Sequence, residues 1–94
     1  MTQNQISVDM ALAERRIAEA AALSDIETNG IQLHALGRRV WDVRAMTDMR
    51  EHCAFSVDMA VQALAYAEWR GLVGVIERQG CGLPAVVRVL RDPA

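Results

Sequence analysis

Residues 71–90 read GLVGVIERQGCGLPAVVRVL, and the interpretation of this stretch decides the fold class. Its first glycines indicate a kink or a close helix approach within a third helix that runs from Ser56 to about Gln79. The segment Gly80–Pro84 is typical of a helix end followed by a proline that opens a new element. Ala85–Leu90 then predicts a short C-terminal helix, although Val86–Val89 would also suit a strand.

The first helix is predicted to begin at Ser7, a favourable N-cap residue. Its apolar seam follows a 3-4 spacing and consists of Met10, Ala13, Ile17, Ala20 and Ser24. The segment Ser24–Glu27 has the form of a capping box, which predicts a restart or bend, and one long helix to Asn29 is the alternative. Asn29 and Gly30 predict a helix end, because both residues tolerate the left-handed conformation.

The second helix is predicted from about Ile31 to Cys53. The same 3-4 spacing recurs there in Leu33, Leu36, Val40, Val43 and Thr47. The fold expected is therefore all-α, a small bundle of three main helices plus the short C-terminal helix, completed by homodimerisation. It forms one domain over residues 1–94, with a flexible N-terminus at 1–6 and a tail at 91–94.

The pentapeptide Ser-Val-Asp-Met-Ala occurs twice, at residues 7–11 and 56–60. Two helices that begin with the same N-capping sequence would explain this repeat, and so would an old duplication of a helical unit. Both interpretations predict helix starts at Ser7 and Ser56.

Composition restricts the partners and the compartment. Ten basic residues, all of them Arg, stand against twelve acidic residues for a net charge of −2, and there are 15 Ala, a bias typical of GC-rich bacterial genomes. This balance argues against a nucleic-acid partner, which usually selects a basic face. No signal peptide and no apolar run of ~20 residues is present, so we expect a cytoplasmic protein with no membrane partner.

The residue types needed for chemistry are present, but their spacing is not that of a known site. His34, His52, Cys53 and Cys81 lack the close pairs of a structural zinc site. No serine or cysteine nucleophile has a base at a recognisable distance, and no glycine-rich phosphate loop occurs. We expect no catalytic residues, no metal and no cofactor, and hence a protein that is not an enzyme.

One short segment supports an enzymatic alternative. The sequence Leu-Ala-Glu-Arg-Arg-Ile-Ala at residues 12–18 resembles a segment late in the first helix of the small all-helical chorismate mutases. That resemblance implies an intertwined helical dimer that holds a dianionic substrate with arginines and a lysine. The arginines that would correspond to part of that set are Arg15 or Arg16, Arg38, Arg44 and Arg50. The sequence contains no lysine, and no acidic or glutamine partner matches by position.

The chain has more large and adaptable apolar side chains than three helices of this length can bury within one monomer. Either all of them fill a single bundle core, or part of this surface is shared with a second copy or a partner. Trp and Tyr are frequent at binding hot spots, and Met adapts to varied surfaces. The partner-binding residues predicted are Trp41, Met46, Met49, Tyr66 and Trp69. The leading function is a small cytoplasmic protein-binding module that masks a surface of a partner protein as a regulator or inhibitor, in the manner of antiactivators, antitoxins, immunity proteins or chaperones. A purely structural helical assembly subunit is a further alternative.

Overall fold

Two helices and four short strands make up the described part of the chain. The computed structural model describes residues 3–48 and 57–93, with side chains from residue 8 onward. The elements in chain order are α1 (Gln3–Asn29), β1 (Ile31–Gln32), a 3₁₀ helix (His34–Leu36), β2 (Val40–Asp42), a second 3₁₀ helix (Arg44–Thr47), α2 (Val57–Trp69), β3 (Val73–Arg78) and β4 (Pro84–Val89).

The strands form one antiparallel sheet in the order β1-β2-β4-β3. Strand β4 is hydrogen-bonded on both sides, with Val87 opposite Trp41 of β2 and opposite Val75 of β3. The register shifts near Glu77, where a bulge interrupts the pairing of β3 with β4. The last strand of the chain therefore occupies the interior of the sheet.

The core lies where the C-terminal half of α1 and the inner side of α2 meet the sheet. Its largest fully buried side chains are Ile26, Val40, Val43, Met46, Leu64, Leu72 and Val87. The first four residues of β4 are all buried. Because alternate strand residues point to opposite faces, both faces of the sheet are covered there. A second small cluster of Val40, Ala85 and Val86 packs with Leu33.

The predicted all-α bundle is wrong, and the first error is the second helix. Residues 31–48 form two short strands and two 3₁₀ turns instead. Two residues in this stretch have a positive φ, which a right-handed helix does not accommodate: Gly37 with φ of 112° and Arg39 with φ of 57°. The β-branched and aromatic pair Val40-Trp41 is better suited to a strand. Val40 and Val43 are both buried but Leu36 is exposed, so the 3-4 spacing marked some of the core positions and no helix.

The third helix and the short C-terminal helix are the second error. Helix α2 ends at Trp69, and residues 73–78 and 84–89 form the β3–β4 hairpin. Gly71 has φ of 69° and follows the helix as its left-handed terminator, while the Leu72 amide donates to the carbonyl of Ala67 over 2.9 Å. The strand alternative for Val86–Val89 is the correct one, because buried valines on both faces favour a pleated strand.

The predicted boundaries of the first helix are partly correct. Its end is confirmed, since α1 stops at Asn29 and the Gly30 amide still donates to the carbonyl of Ile26 over 2.7 Å. The start at Ser7 is wrong, because α1 begins at Gln3, and the uninterrupted helix excludes a restart at Ser24. Ser56 lies outside the described residues. Within residues 3–48 and 57–93, no helix is both long and apolar enough to cross a bilayer.

Gly71→Ala tests the terminator of α2. No heavy atom lies within 4 Å of a Cβ added at Gly71, so the cost comes from the backbone conformation alone. We expect a loss of about 1 kcal/mol in the free energy of unfolding, measured by urea denaturation. Gly80→Ala is the matched control: its added Cβ also meets open space, and φ is not positive there. Equal losses for the two variants would contradict the terminator role.

Candidate functional site

A groove of about 670 Å³ runs between α1 and α2 on the outside of the molecule. We call it the α1–α2 groove. Its floor consists of Ala18, Ala21, Ala22 and Ala63, and its walls of Met59, Tyr66 and Trp69. Asp25 and Gln62 add polar atoms to an otherwise apolar lining. Concave apolar sites with a few polar groups are where proteins usually bind ligands and partner segments.

Small residues create the groove. Ala22 and Ala63 are buried where the two helices touch, and their short side chains allow the helix backbones to come close together. Ala18 and Ala21 continue this surface into solvent and are exposed. A larger residue at either position would fill the space, so the alanine-rich stretch of α1 produces the concave floor.

The aromatic wall is large and open to solvent. Trp69 is 75% exposed, although it is the largest side chain type in the protein. Its ring lies 5.9 Å from that of Tyr66 at an angle of 58°, a tilted arrangement that favours both rings. The Arg70 guanidinium carbon lies 5.4 Å from the Trp69 ring centroid, within cation–π range. The indole is thus held by neighbours on the same chain and leaves its outer face free.

A buried carboxylate fixes that arginine. Glu19 is 3% exposed and accepts a hydrogen bond from Arg70 Nε over 2.9 Å and another from Arg91 Nη1 over 3.2 Å. Arg91 also donates to the carbonyl of Arg70 over 2.9 Å. The Arg70 hydrogen bond, helped by Arg91 and opposed by burial, lowers the pKa of the Glu19 carboxyl. This network ties α1, the end of α2 and the C-terminal segment together beside Trp69.

The rim of the groove carries negative charge. Asp25 lines it, and Asp58 is exposed in the first turn of α2 next to Met59. Arg70, the cation nearest the aromatic wall, is already paired with Glu19. Elsewhere in the described ranges, Arg39 pairs with Glu27 and Asp92, and Arg78 pairs with Glu68. Among the described residues that line the groove, Asp25 is the charged one, and its carboxylate favours a cationic ligand.

The structure separates the predicted partner-binding residues. Tyr66 and Trp69 meet in the α1–α2 groove. Trp41 lies on β2, half-buried against the core, and its indole N–H has no acceptor among the described residues. Met46 is 2% exposed and belongs to the core. Met49 lies outside the described residues.

Sequence reasoning missed Met59 and the alanine floor. The stripe of small residues on α2 was visible in the sequence, but the run Ala20-Ala21-Ala22 on α1 has no periodicity that singles it out. Asp25 was interpreted as part of the capping box Ser24–Glu27 and not as part of a binding surface. Only the packing of α1 against α2 brings these residues to the two aromatic side chains.

The arginines of the enzymatic alternative occupy unrelated environments. Arg15 and Arg16 are exposed on α1, and Arg38 is exposed in the turn before β2. Arg44 is paired with Asp42, which lowers the pKa of that carboxyl. Arg50 lies outside the described residues. The all-helical fold that the chorismate mutase resemblance implies is wrong for this chain.

Residues 3–48 and 57–93 contain no group of three His, Cys, Asp or Glu side chains that could hold a metal ion. Cys81 is an exposed free thiol at the tip of the β3–β4 hairpin, and His34 is exposed. His52 and Cys53 lie outside the described residues. No protein-family model matches the chain, and no curated protein or solved structure matches it either.

Glu19→Gln tests the buried network through its pH dependence. A carboxyl whose pKa is lower in the folded than in the unfolded state adds stability that is present above the unfolded value and lost as the pH falls through the folded value. The ordinary pKa of a glutamate carboxyl is 4.5. We therefore expect wild type to exceed Glu19→Gln in urea midpoint near neutral pH, with the difference shrinking progressively below pH 4.5.

Glu14→Gln, at an exposed position of the same helix, is the control for this comparison. It removes one carboxylate without touching a buried ion pair, so we expect the urea midpoint near neutral pH to change little. A Glu19→Gln midpoint equal to that of wild type near neutral pH would contradict the stabilising role of the network.

Proposed function

We propose that this chain is a protein-binding module that regulates or inhibits a partner protein by holding one of its amphipathic helices in the α1–α2 groove. The observation that carries the proposal is the groove itself, with its alanine floor and exposed aromatic wall. Helix-in-groove recognition uses an apolar helix face laid into such a surface. The exposed groove, which offers a surface to bind and mask part of a partner, is what supports the role as regulator.

The dimensions of the groove suit a helix. Met59 and Trp69 stand ten residues apart on α2, which separates them by about 15 Å along the axis. That length accommodates about three helical turns, enough for apolar anchors at i, i+4 and i+7. The alanine floor allows the bound helix to approach closely, and Trp69 would close over its side. Loss of a tryptophan from the centre of an interface commonly costs 2 kcal/mol or more.

Charge specifies which helix fits. Asp25 lines the groove and Asp58 precedes Met59 in the first turn of α2, so a bound helix that carries Arg or Lys beside its apolar face would meet favourable charge. An acidic helix with the same apolar residues would face like charges, and such juxtapositions suppress wrong partners. The partner segment is therefore a basic amphipathic helix.

A pair of designed helical peptides tests this specificity. Both carry the same leucine anchors, one with arginines on both flanks and the other with glutamates. We expect the arginine peptide to bind and to shift the amide resonances of residues 18–25 and 59–69, because it matches the acidic rim. Equal binding of both peptides, or shifts confined to other residues, would reject the groove as a basic-helix site.

Two variants test the groove in the same titration. Trp69→Ala removes the wall and Ala21→Arg fills the floor with a like-charged side chain, and we expect at least tenfold weaker binding of the arginine peptide. Ala35→Arg makes the same change on the exposed surface of the first 3₁₀ helix and serves as the control. If Ala35→Arg weakens binding as much as Ala21→Arg, the effect is general charge repulsion and the site lies elsewhere.

The topology favours a second candidate, DNA binding. Helix α2 is followed directly by the β3–β4 hairpin, and β4 also pairs with β2 on its other side. In helix-turn-helix proteins a second helix enters the major groove of DNA, and α2 has that position. This is an argument from fold alone. The exposed residues of α2 include Asp58, Met59 and Trp69 and no cation, so the charge of this helix favours the protein partner.

Salt dependence separates the two candidates. Binding to DNA releases counterions, so the logarithm of the binding constant would fall steeply with the logarithm of salt concentration. We expect no such salt-sensitive binding of a fluorescent duplex by the purified protein. A steep salt slope that Arg88→Ala on β4 reduces would move the function to nucleic acid.

A further inference from the structure

Helix α1 is longer than the domain it packs on. It has 27 residues, yet from residue 8 onward the first buried side chain is that of Glu19, and every residue from 8 to 18 is exposed. A helical segment without tertiary contacts is marginal in water, because most helix stability in proteins comes from packing an apolar face. This half of α1 nevertheless carries four large exposed apolar side chains, Val8, Met10, Leu12 and Ile17.

One face of this helix is apolar and is not covered by any other part of residues 3–48 and 57–93. At about 100° per residue, Met10, Ala13, Ile17 and Ala20 form a stripe, which we call the outer seam. The core face of α1, which includes Leu23 and Ile26, lies about 150° away. All four residues of the outer seam are exposed. Their 3-4 spacing is the pattern with which two helices pack side by side.

We propose that the outer seam binds the outer seam of a second copy of this chain, with the two α1 helices antiparallel. Size complementarity at the centre of the contact supports this arrangement: a two-fold axis between residues 11 and 12 places Met10 of each copy opposite Ala13 of the other. Ile17 and Ala20 then lie opposite positions 6 and 3 of the other helix. Large residues opposite small ones allow helices to interdigitate. A two-fold interface uses the same patch on both copies, so one self-complementary stripe is sufficient.

Charge complementarity selects the same register. Asp9 and Arg16 lie on one flank of the outer seam, and the two-fold axis brings Asp9 of each copy to within two residue positions of Arg16 of the other, about 3 Å along the helix axis. Two opposite-charge pairs result. In a register centred on residue 15, the two Arg16 side chains would instead come together on one flank of the outer seam. The two Glu14 side chains would come together on the other flank. Like-charge pairs of this kind specify against an alternative register.

Sedimentation equilibrium of the full chain is the first test. At about 100 µM we expect a mass twice the 10.4 kDa of the chain. Ile17→Glu places a charge in the outer seam and should give a monomer. Val8→Glu is the matched control: Val8 is 66% exposed against 70% for Ile17, and it lies about 160° from the seam. Val8→Glu should remain dimeric.

Charge reversal provides the decisive measurement. Asp9→Arg and Arg16→Asp should each weaken dimerisation about tenfold, and the double variant should return to within about threefold of wild type. Circular dichroism establishes that each variant retains its helix. A monomeric wild type, equal dissociation by Val8→Glu and Ile17→Glu, or a double variant no tighter than the single ones would overturn the proposal. The groove variants Trp69→Ala and Ala21→Arg leave the seam intact and should remain dimeric.

Discussion

The buried ion-pair network of Glu19 is the constraint on which the surface of this protein depends. One carboxylate on α1 holds Arg70 at the end of α2 and Arg91 in the C-terminal segment. A buried charge is costly to desolvate, and removal of one partner leaves the others uncompensated. The network therefore fixes the relative position of two helices and of the chain that follows β4. Because Arg70 also lies over Trp69, the same carboxylate sets the position of the aromatic wall of the groove.

The fold illustrates which parts of a sequence specify structure locally. The end of α1 was predicted correctly, but neither Asn29 nor Gly30 adopts a positive φ. Gly30 is needed there for a different reason: an added Cβ would lie 2.6 Å from the carbonyl oxygen of Ile26 and 3.3 Å from that of Asp42 on β2. The hairpin was not recognised, although Gly71, with its positive φ, ends α2 as a left-handed terminator. Alanines and leucines before it extend a helical pattern, whereas the valines of β3 and β4 find their pairing partners only in the folded sheet. Strand preference depends on such cross-strand neighbours more than helix preference does.

The candidate site was predictable in part for a related reason. Tyr66 and Trp69 lie on α2, where helical spacing was the correct interpretation, and they do share a surface. Met46 and Trp41 were placed on a helix that does not exist, so their predicted neighbourhood was wrong as well. Met46 instead fills the core from a 3₁₀ turn, and Trp41 packs along β2. The alanine floor could not be predicted, because a concave surface belongs to two helices and not to either sequence alone.

The two surfaces of α1 are compatible with each other, and their combination has a consequence for binding. The outer seam and the groove side of α1 differ by about 110° around the helix axis, so neither covers the other. In the antiparallel dimer the centres of the two grooves would lie about 30 Å apart along the paired helices, because each groove is centred roughly ten residues from the two-fold axis. A partner with two copies of the recognised helix would engage both grooves, and the second contact would form at high effective concentration. Modest affinity in a single small groove is then sufficient for tight regulation of an oligomeric partner.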